Sequence, residues 1–104
     1  MEKNQAAKTH VKEGNRLKRN GQFESAIASY KKAIEINPRF SWSYFYLGEA
    51  LINLKRLNEA IEVYHQAITL NPSSALFYCR LGDALTDNGQ IDEAQKYYQW
   101  IVWR

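Results

Sequence analysis

A period of 34 residues runs through this chain and limits its fold more than any other feature. Asn37-Pro38 recurs as Asn71-Pro72. The same offset joins Gly14, Gly48 and Gly82; Leu17, Leu51 and Leu85; Ala26, Ala60 and Ala94; and Tyr30, Tyr64 and Tyr98. Whole phrases align, SAIASYKKAIEINP over EAIEVYHQAITLNP. Self-similarity at a fixed period makes the chain an array of like units. Three units begin near residues 7, 41 and 75.

Inside a unit the apolar spacing is helical. Tyr44, Leu47, Leu51 and Leu54 recur at the intervals of one helix face, and Ala60, Tyr64, Ala67 and Ile68 form a second face after a break at Lys55-Arg56. Gly21 and Gly89 mark the equivalent break in the other units, as a helix C-terminus often requires. Pro38 and Pro72 cannot continue a helix, so they separate successive units. Each unit is therefore predicted to be a helix hairpin. Gly48 and Ala60 are where the two axes of a hairpin can approach, with the tyrosine column supplying the complementary bulk. One hairpin cannot bury its own apolar stripe, whereas a stack of three can.

The 104 residues suffice for one domain, taken as 1–104 with units at about 7–40, 41–74 and 75–104. With 45% hydrophobic and 24% charged residues the composition is that of a folded globular chain. The lone Cys79 excludes an internal disulfide. The opening MEKNQAAKTH lacks the apolar segment of a secretory leader, and no apolar run reaches the ~18 residues of a membrane span. A cytoplasmic location is the expectation. The net charge of +3 is uneven: residues 1–40 hold nine Lys/Arg against four Glu, while the other two units are nearly balanced.

The period and its columns resemble the tetratricopeptide repeat (TPR) family over residues 7–104. In that family's frame the chain has Gly at position 8, Ala at 20 and Tyr at 24 in all three units, and Pro at 32 in the two units that reach it. It departs from the pattern at position 4, where His10, Tyr44 and Tyr78 replace Trp, and at Glu13, where a Leu-type residue is usual. The resemblance implies an all-α, right-handed solenoid of three helix-turn-helix hairpins, about six helices, with no separate C-terminal capping helix. It also implies a protein-interaction function.

The segment SWSYFYLGEA puts Trp42, Tyr44, Phe45 and Tyr46 within five positions. Helical phase assigns Tyr44, Leu47, Gly48 and Leu51 to packing, and Trp42, Phe45, Tyr46, Glu49 and Ile52 to a different face. By resemblance, that second face of each first helix lines a concave groove. The first unit would contribute Lys8, Val11, Lys12, Asn15 and Arg19. The second would add Trp42, Phe45, Tyr46, Glu49, Ile52 and Asn53, and the third Leu76, Cys79, Arg80, Asp83 and Asp87. Phe45 and Tyr46 are expected to be accessible as anchors, and Trp42 is the ring best placed to pack between units instead. Lys12, Arg19 and Arg80 would meet acidic groups, and Asn15 would hydrogen-bond a partner backbone. The family's carboxylate clamp for chaperone C-termini is matched only by Asn15 and Arg80, since Val11, Tyr46 and Leu76 stand where Lys, Asn and Lys are needed. An asparagine ladder is absent as well, because its positions hold Lys12, Tyr46 and Arg80. The expected partner is another protein or peptide, as an extended or helical segment with an apolar anchor.

The last unit ends in QKYYQWIVWR, where Trp100 and Trp103 replace Lys32 and Glu35 of the first unit and Gln66 and Thr69 of the second. Three alternatives follow: a module of a longer protein or assembly whose end is covered by the next helix, a homo-oligomer formed through Tyr98, Trp100, Ile101 and Trp103, or a local fold-back of these rings. For catalysis, His10 and His65 lie on different helices with no ligand-type spacing, Cys79 has no nearby His, and the glycines follow the repeat rather than a phosphate loop. No enzyme activity, cofactor, metal, small-molecule substrate or membrane partner is expected. Lys8, Lys12, Arg16, Lys18 and Arg19 form a basic strip beside aromatics, which makes RNA binding a minor alternative. Asp83 and Asp87 in the third unit's share of the groove argue against it.

Overall fold

The computed structural model describes residues 2–103, with the main chain alone at Trp103. Among these residues there are six α-helices and no strand: α1 Glu2–Arg19, α2 Phe23–Ile36, α3 Ser41–Asn53, α4 Leu57–Leu70, α5 Ala75–Asp87 and α6 Ile91–Trp103. Each helix packs on the next in sequence, and α1 also touches α3. The molecule measures 39 × 29 × 18 Å. Its shortest dimension is the depth of two packed helices, so the hairpins stack side by side rather than wrapping a globular centre. No described helix is long and apolar enough to cross a membrane.

The breaks within the hairpins share one geometry. Gly21, Lys55 and Gly89 all adopt positive φ, at 78°, 62° and 82°. After each, two backbone bonds satisfy the orphan carbonyls of the ending helix, as in Gly21 N–H to Lys18 O at 3.0 Å and Gln22 N–H to Leu17 O at 2.9 Å. Lys55 and Arg56 reproduce both bonds at 2.9 Å, with Ile52 and Leu51 as acceptors. A left-handed conformation costs an L-residue with a β-carbon about 1 kcal/mol. Lys55→Gly is therefore expected to raise stability by about 0.5–1 kcal/mol in urea unfolding, net of the greater freedom of glycine in the unfolded chain. A loss of stability would show that the Lys55 side chain contributes more than its strained backbone costs.

Between hairpins the turns at Pro38 and Pro72 are tied back to the helices. Asn37 N–H donates to Ala33 O and Asn71 N–H to Ala67 O, both at 2.9 Å, and the Tyr44 hydroxyl donates to Pro38 O at 2.8 Å. Asn37 also reaches Asn4 on the N-terminal extension of α1, which at 18 residues is the longest helix. The core follows the repeat columns. Ala26, Ala60 and Ala94 are buried, as are Tyr30, Tyr64, Leu51 and Leu85. The tyrosine rings lie directly over Gly14, Gly48 and Gly82, so the bulk opposite each glycine comes from the second helix of the same hairpin.

Candidate functional site

The face built from α1, α3 and α5 carries two hollows. Their character follows from which side chains the helix phase brings to that face and which of those are already paired.

Three rings of SWSYFYLGEA part company here. Phe45 is only 3% exposed. It stacks on Phe77 with centroids 5.0 Å apart, meets Tyr64 at 6.0 Å, and so joins the second hairpin to the third. The expectation that Phe45 is an accessible anchor is corrected by this packing. Val11, in the same repeat column, is also buried. Trp42 and Tyr46 remain half-exposed. Trp42 packs edge-on against Phe77 at 5.0 Å and lies 5.7 Å from Tyr46, which in turn stacks on Tyr30 at 6.2 Å. A ladder of aromatic rings thus crosses all three hairpins, and Trp42 and Tyr46 are its half-exposed members on the groove face. The signal that separates them from Phe45 was present in the sequence: column 5 reads Val11, Phe45, Cys79, while columns 2 and 6 mix Trp42 and Tyr46 with Lys8, Lys12 and Arg80.

A second network fixes the charges. Glu49 accepts from Lys18 Nζ at 2.8 Å through one carboxylate oxygen and from Arg80 Nε at 3.3 Å through the other. One carboxylate therefore links α1, α3 and α5. Lys18 also sits 5.2 Å from the centre of the Tyr46 ring, a cation–π arrangement. Burial draws the Arg80 guanidinium down, but its hydrogen bond to Glu49 and that residue's charge more than offset this and leave it raised. Asp83 stands 3.8 Å from Arg80 Nη1 and accepts the Tyr98 hydroxyl at 2.6 Å. In the first unit the same column pair recurs, with the Tyr30 hydroxyl donating to Asn15 Oδ1 at 2.5 Å. Burial pushes the Tyr30 phenol well up, with Glu49 acting in the same direction, so Tyr30 stays a neutral donor and leaves the Asn15 amide N–H free to point elsewhere.

The hollow between α3 and α5, about 330 Å³, is lined by this network: Lys18, Glu49, Asn53, Arg80, Asp83 and Asp87 among others. Its two cations already face carboxylates. The hollow between α1 and α3, about 320 Å³, differs in kind. Phe40, Trp42 and Tyr46 line it together with buried Val11, and Lys8, Lys12 and Asn15 complete it. Lys8 and Lys12 are exposed, and neither has an ion-pair partner among the described residues. Arg19 is likewise exposed and unpaired in that sense. Chemically, the first hollow is a charge-satisfied cleft and the second an apolar pocket with uncompensated cations.

At the far end, Trp100 stacks on Tyr78 with centroids 3.7 Å apart, Tyr97 meets His65 and Tyr78, and Tyr98 lies over Gly82. Ile101 is half-buried. Trp100 and Tyr98 thus pack in part on their own hairpin, while Val102 beside them is 74% exposed. The side chain of Trp103, named with them, lies outside the described residues. Cys79 is a half-buried free thiol, and no cluster of His, Cys, Asp and Glu suited to a metal occurs among the described residues.

No curated protein matches the chain significantly in sequence. Solved structures do. The second TPR domain of Spaghetti (RPAP3) bound to the HSP90 peptide SRMEEVD superposes at a TM-score of 0.90 with 26% identity, covering 94% of this chain and 91% of that one. The first TPR domain of the same protein, bound to the same peptide, gives 0.91 and 26% over 94% and 78%. MamA gives 0.90 and 26% over 93% of this chain and 57% of its own. The TPR repeat profile matches residues 14–55 and again 48–89, the two offsets expected of consecutive hairpins. With its Gly, Ala and Tyr columns in register, its hairpins stacked as in these domains and its sequence matched over most of its length, the chain belongs to the TPR repeat family.

Proposed function

We propose that this chain is a non-enzymatic protein-interaction scaffold, a single domain of three repeats, that takes an extended or helical segment of a partner protein on the face of α1, α3 and α5. The carrying observation is the half-exposed pair Trp42 and Tyr46 in the hollow beside unpaired Lys8 and Lys12. Rigid aromatic side chains with a polar surround concentrate binding energy at little entropic cost. The RPAP3 domains of the same fold are bound to an HSP90 peptide, which supports a peptide-binding use of this fold. The groove here is less specialised than a terminal-carboxylate clamp: Val11, Tyr46 and Leu76 offer no clamp partner, and Arg80 is held by Glu49. A cytoplasmic setting fits the reading, because Cys79 would stay reduced there.

The test is a random peptide library panned on the wild-type chain, with enriched peptides re-measured on Tyr46→Ser and on Lys32→Ser, an exposed position of α2. Tyr46→Ser is expected to weaken binding about tenfold or more, worth roughly 1.4 kcal/mol, with the helical circular dichroism retained. Lys32→Ser should leave binding unchanged. Enriched peptides indifferent to Tyr46→Ser, or an absence of enrichment, would place the interaction surface elsewhere.

A further inference from the structure

We infer that the segment taken by this groove is acidic, and that it seats an aliphatic or aromatic side chain between α1 and α3 while its carboxylates meet Lys8 and Lys12. The inference rests on the groove reading above and adds the chemistry of the ligand.

The hollow of about 320 Å³ exceeds the ~150 Å³ in which an apolar cavity holds a benzene ring, so one branched or aromatic side chain fits with room for its flanking backbone. Phe40, Trp42 and Tyr46 make such a side chain the favoured occupant. Sign and place of charge then select its neighbours. The carboxylates nearest these lysines are spoken for, Glu49 by Lys18 and Arg80 and Glu13 by Arg16 at 2.5 Å, while Asp83, held by Tyr98 and Arg80, and Asp87 belong to the other hollow. Lys8 and Lys12 therefore have no ion-pair partner among the described residues, and a ligand carboxylate reaching them displaces none of the pairs found there. The neighbouring hollow is the opposite, with Glu49, Asp83 and Asp87 against Lys18 and Arg80, and it disfavours an added carboxylate. The acidic residues of the ligand thus lie along α1, within the segment, and a free C-terminus is not required.

Three synthetic peptide pools test this, all acetylated and amidated and all containing Leu, Phe and Ser: one with Asp and Glu, one with Asn and Gln, one with Lys and Arg. Binding is read by fluorescence anisotropy on the wild type, on Lys8→Gln/Lys12→Gln and on Tyr46→Ser. The acidic pool should bind about tenfold more tightly than the neutral pool, and the double lysine variant should remove that preference, since two exposed pairs with carboxylates are at stake. Raising the salt should narrow the gap on the wild type. A neutral or basic pool that binds as well as the acidic one, yet is lost in Tyr46→Ser, overturns the charge inference and leaves the groove reading standing. An acidic preference that survives in the double lysine variant overturns the placement along α1. Binding that ignores Tyr46→Ser in every pool removes the groove reading and this inference with it.

Discussion

Phe45→Ala is expected to lower the free energy of unfolding by about 3–5 kcal/mol, measured by guanidinium denaturation against the wild type. The ring is buried among Phe77 at 5.0 Å, Trp42 at 5.4 Å and Tyr64 at 6.0 Å, and none of these side chains can collapse into the space without leaving its own packing. Truncation removes transfer energy and adds a cavity. The site also matters for its position in the array. In a solenoid each unit is stabilised by its own hairpin and by the interface to its neighbour. Phe45 stacks on Phe77 across the junction of the second and third hairpins, beside the packing of α4 on α5, so part of the loss should fall on that interface, with the third hairpin opening first. Against a total stability of about 5–15 kcal/mol, such a loss leaves a partly unfolded population under native conditions. Any binding defect of this variant is then a folding defect, which is why the half-exposed Tyr46 and not Phe45 probes the groove. A change below ~1 kcal/mol would contradict the burial of the ring.

The repeat made most of the fold legible from sequence, because residues that hold a hairpin together recur in register. Gly48 against Tyr64, Ala60 at the crossing and Pro38 and Pro72 at the joints are visible as columns before any coordinate is known. What the columns hide is anything that breaks the period or runs diagonally across it. Phe77 stands where the first two units have Thr9 and Ser43, so its reach to Phe45 has no counterpart to announce it. Phe45 lies at the inner edge of the wide arc it forms with Trp42 and Tyr46, and its burial follows the column it shares with buried Val11; Phe77 supplies the ring it meets there. The bridges from Glu49 to Lys18 and to Arg80 each span 31 residues, one helical turn short of the repeat. A column comparison cannot show such contacts, because they join different positions of adjacent units. On the groove face the cations are for this reason fewer than the sequence suggests: Lys18 and Arg80 face Glu49, and those without an ion pair among the described residues are Lys8, Lys12 and Arg19.

Gly48→Ala is expected to destabilise the chain by about 2 kcal/mol, although alanine is the better helix former by about 1 kcal/mol. A β-carbon at residue 48 would lie 2.8 Å from both Cδ1 and Cζ of Tyr64, and closer still to Cε1. The collision is with the flat of a ring that is 1% exposed and is itself held by Phe45, so the ring has no vacant direction to turn. Relief must come from parting α3 and α4, which strips packing from the whole hairpin. For a chain of this length the loss corresponds to a fall in Tm of roughly 8–16 °C. The pair Gly48→Ala/Tyr64→Leu separates this cause from others. If the clash is the cause, the double variant should lose clearly less than the sum of its single variants, because the smaller side chain gives the new methyl room. Strict additivity would mean that the two positions do not sense each other, and the helix spacing would then have to be set by the alanine column of Ala26, Ala60 and Ala94 alone. The groove depends on the outcome, since the distance between α3 and α4 fixes how far Tyr46 and Trp42 stand out from the layer behind them.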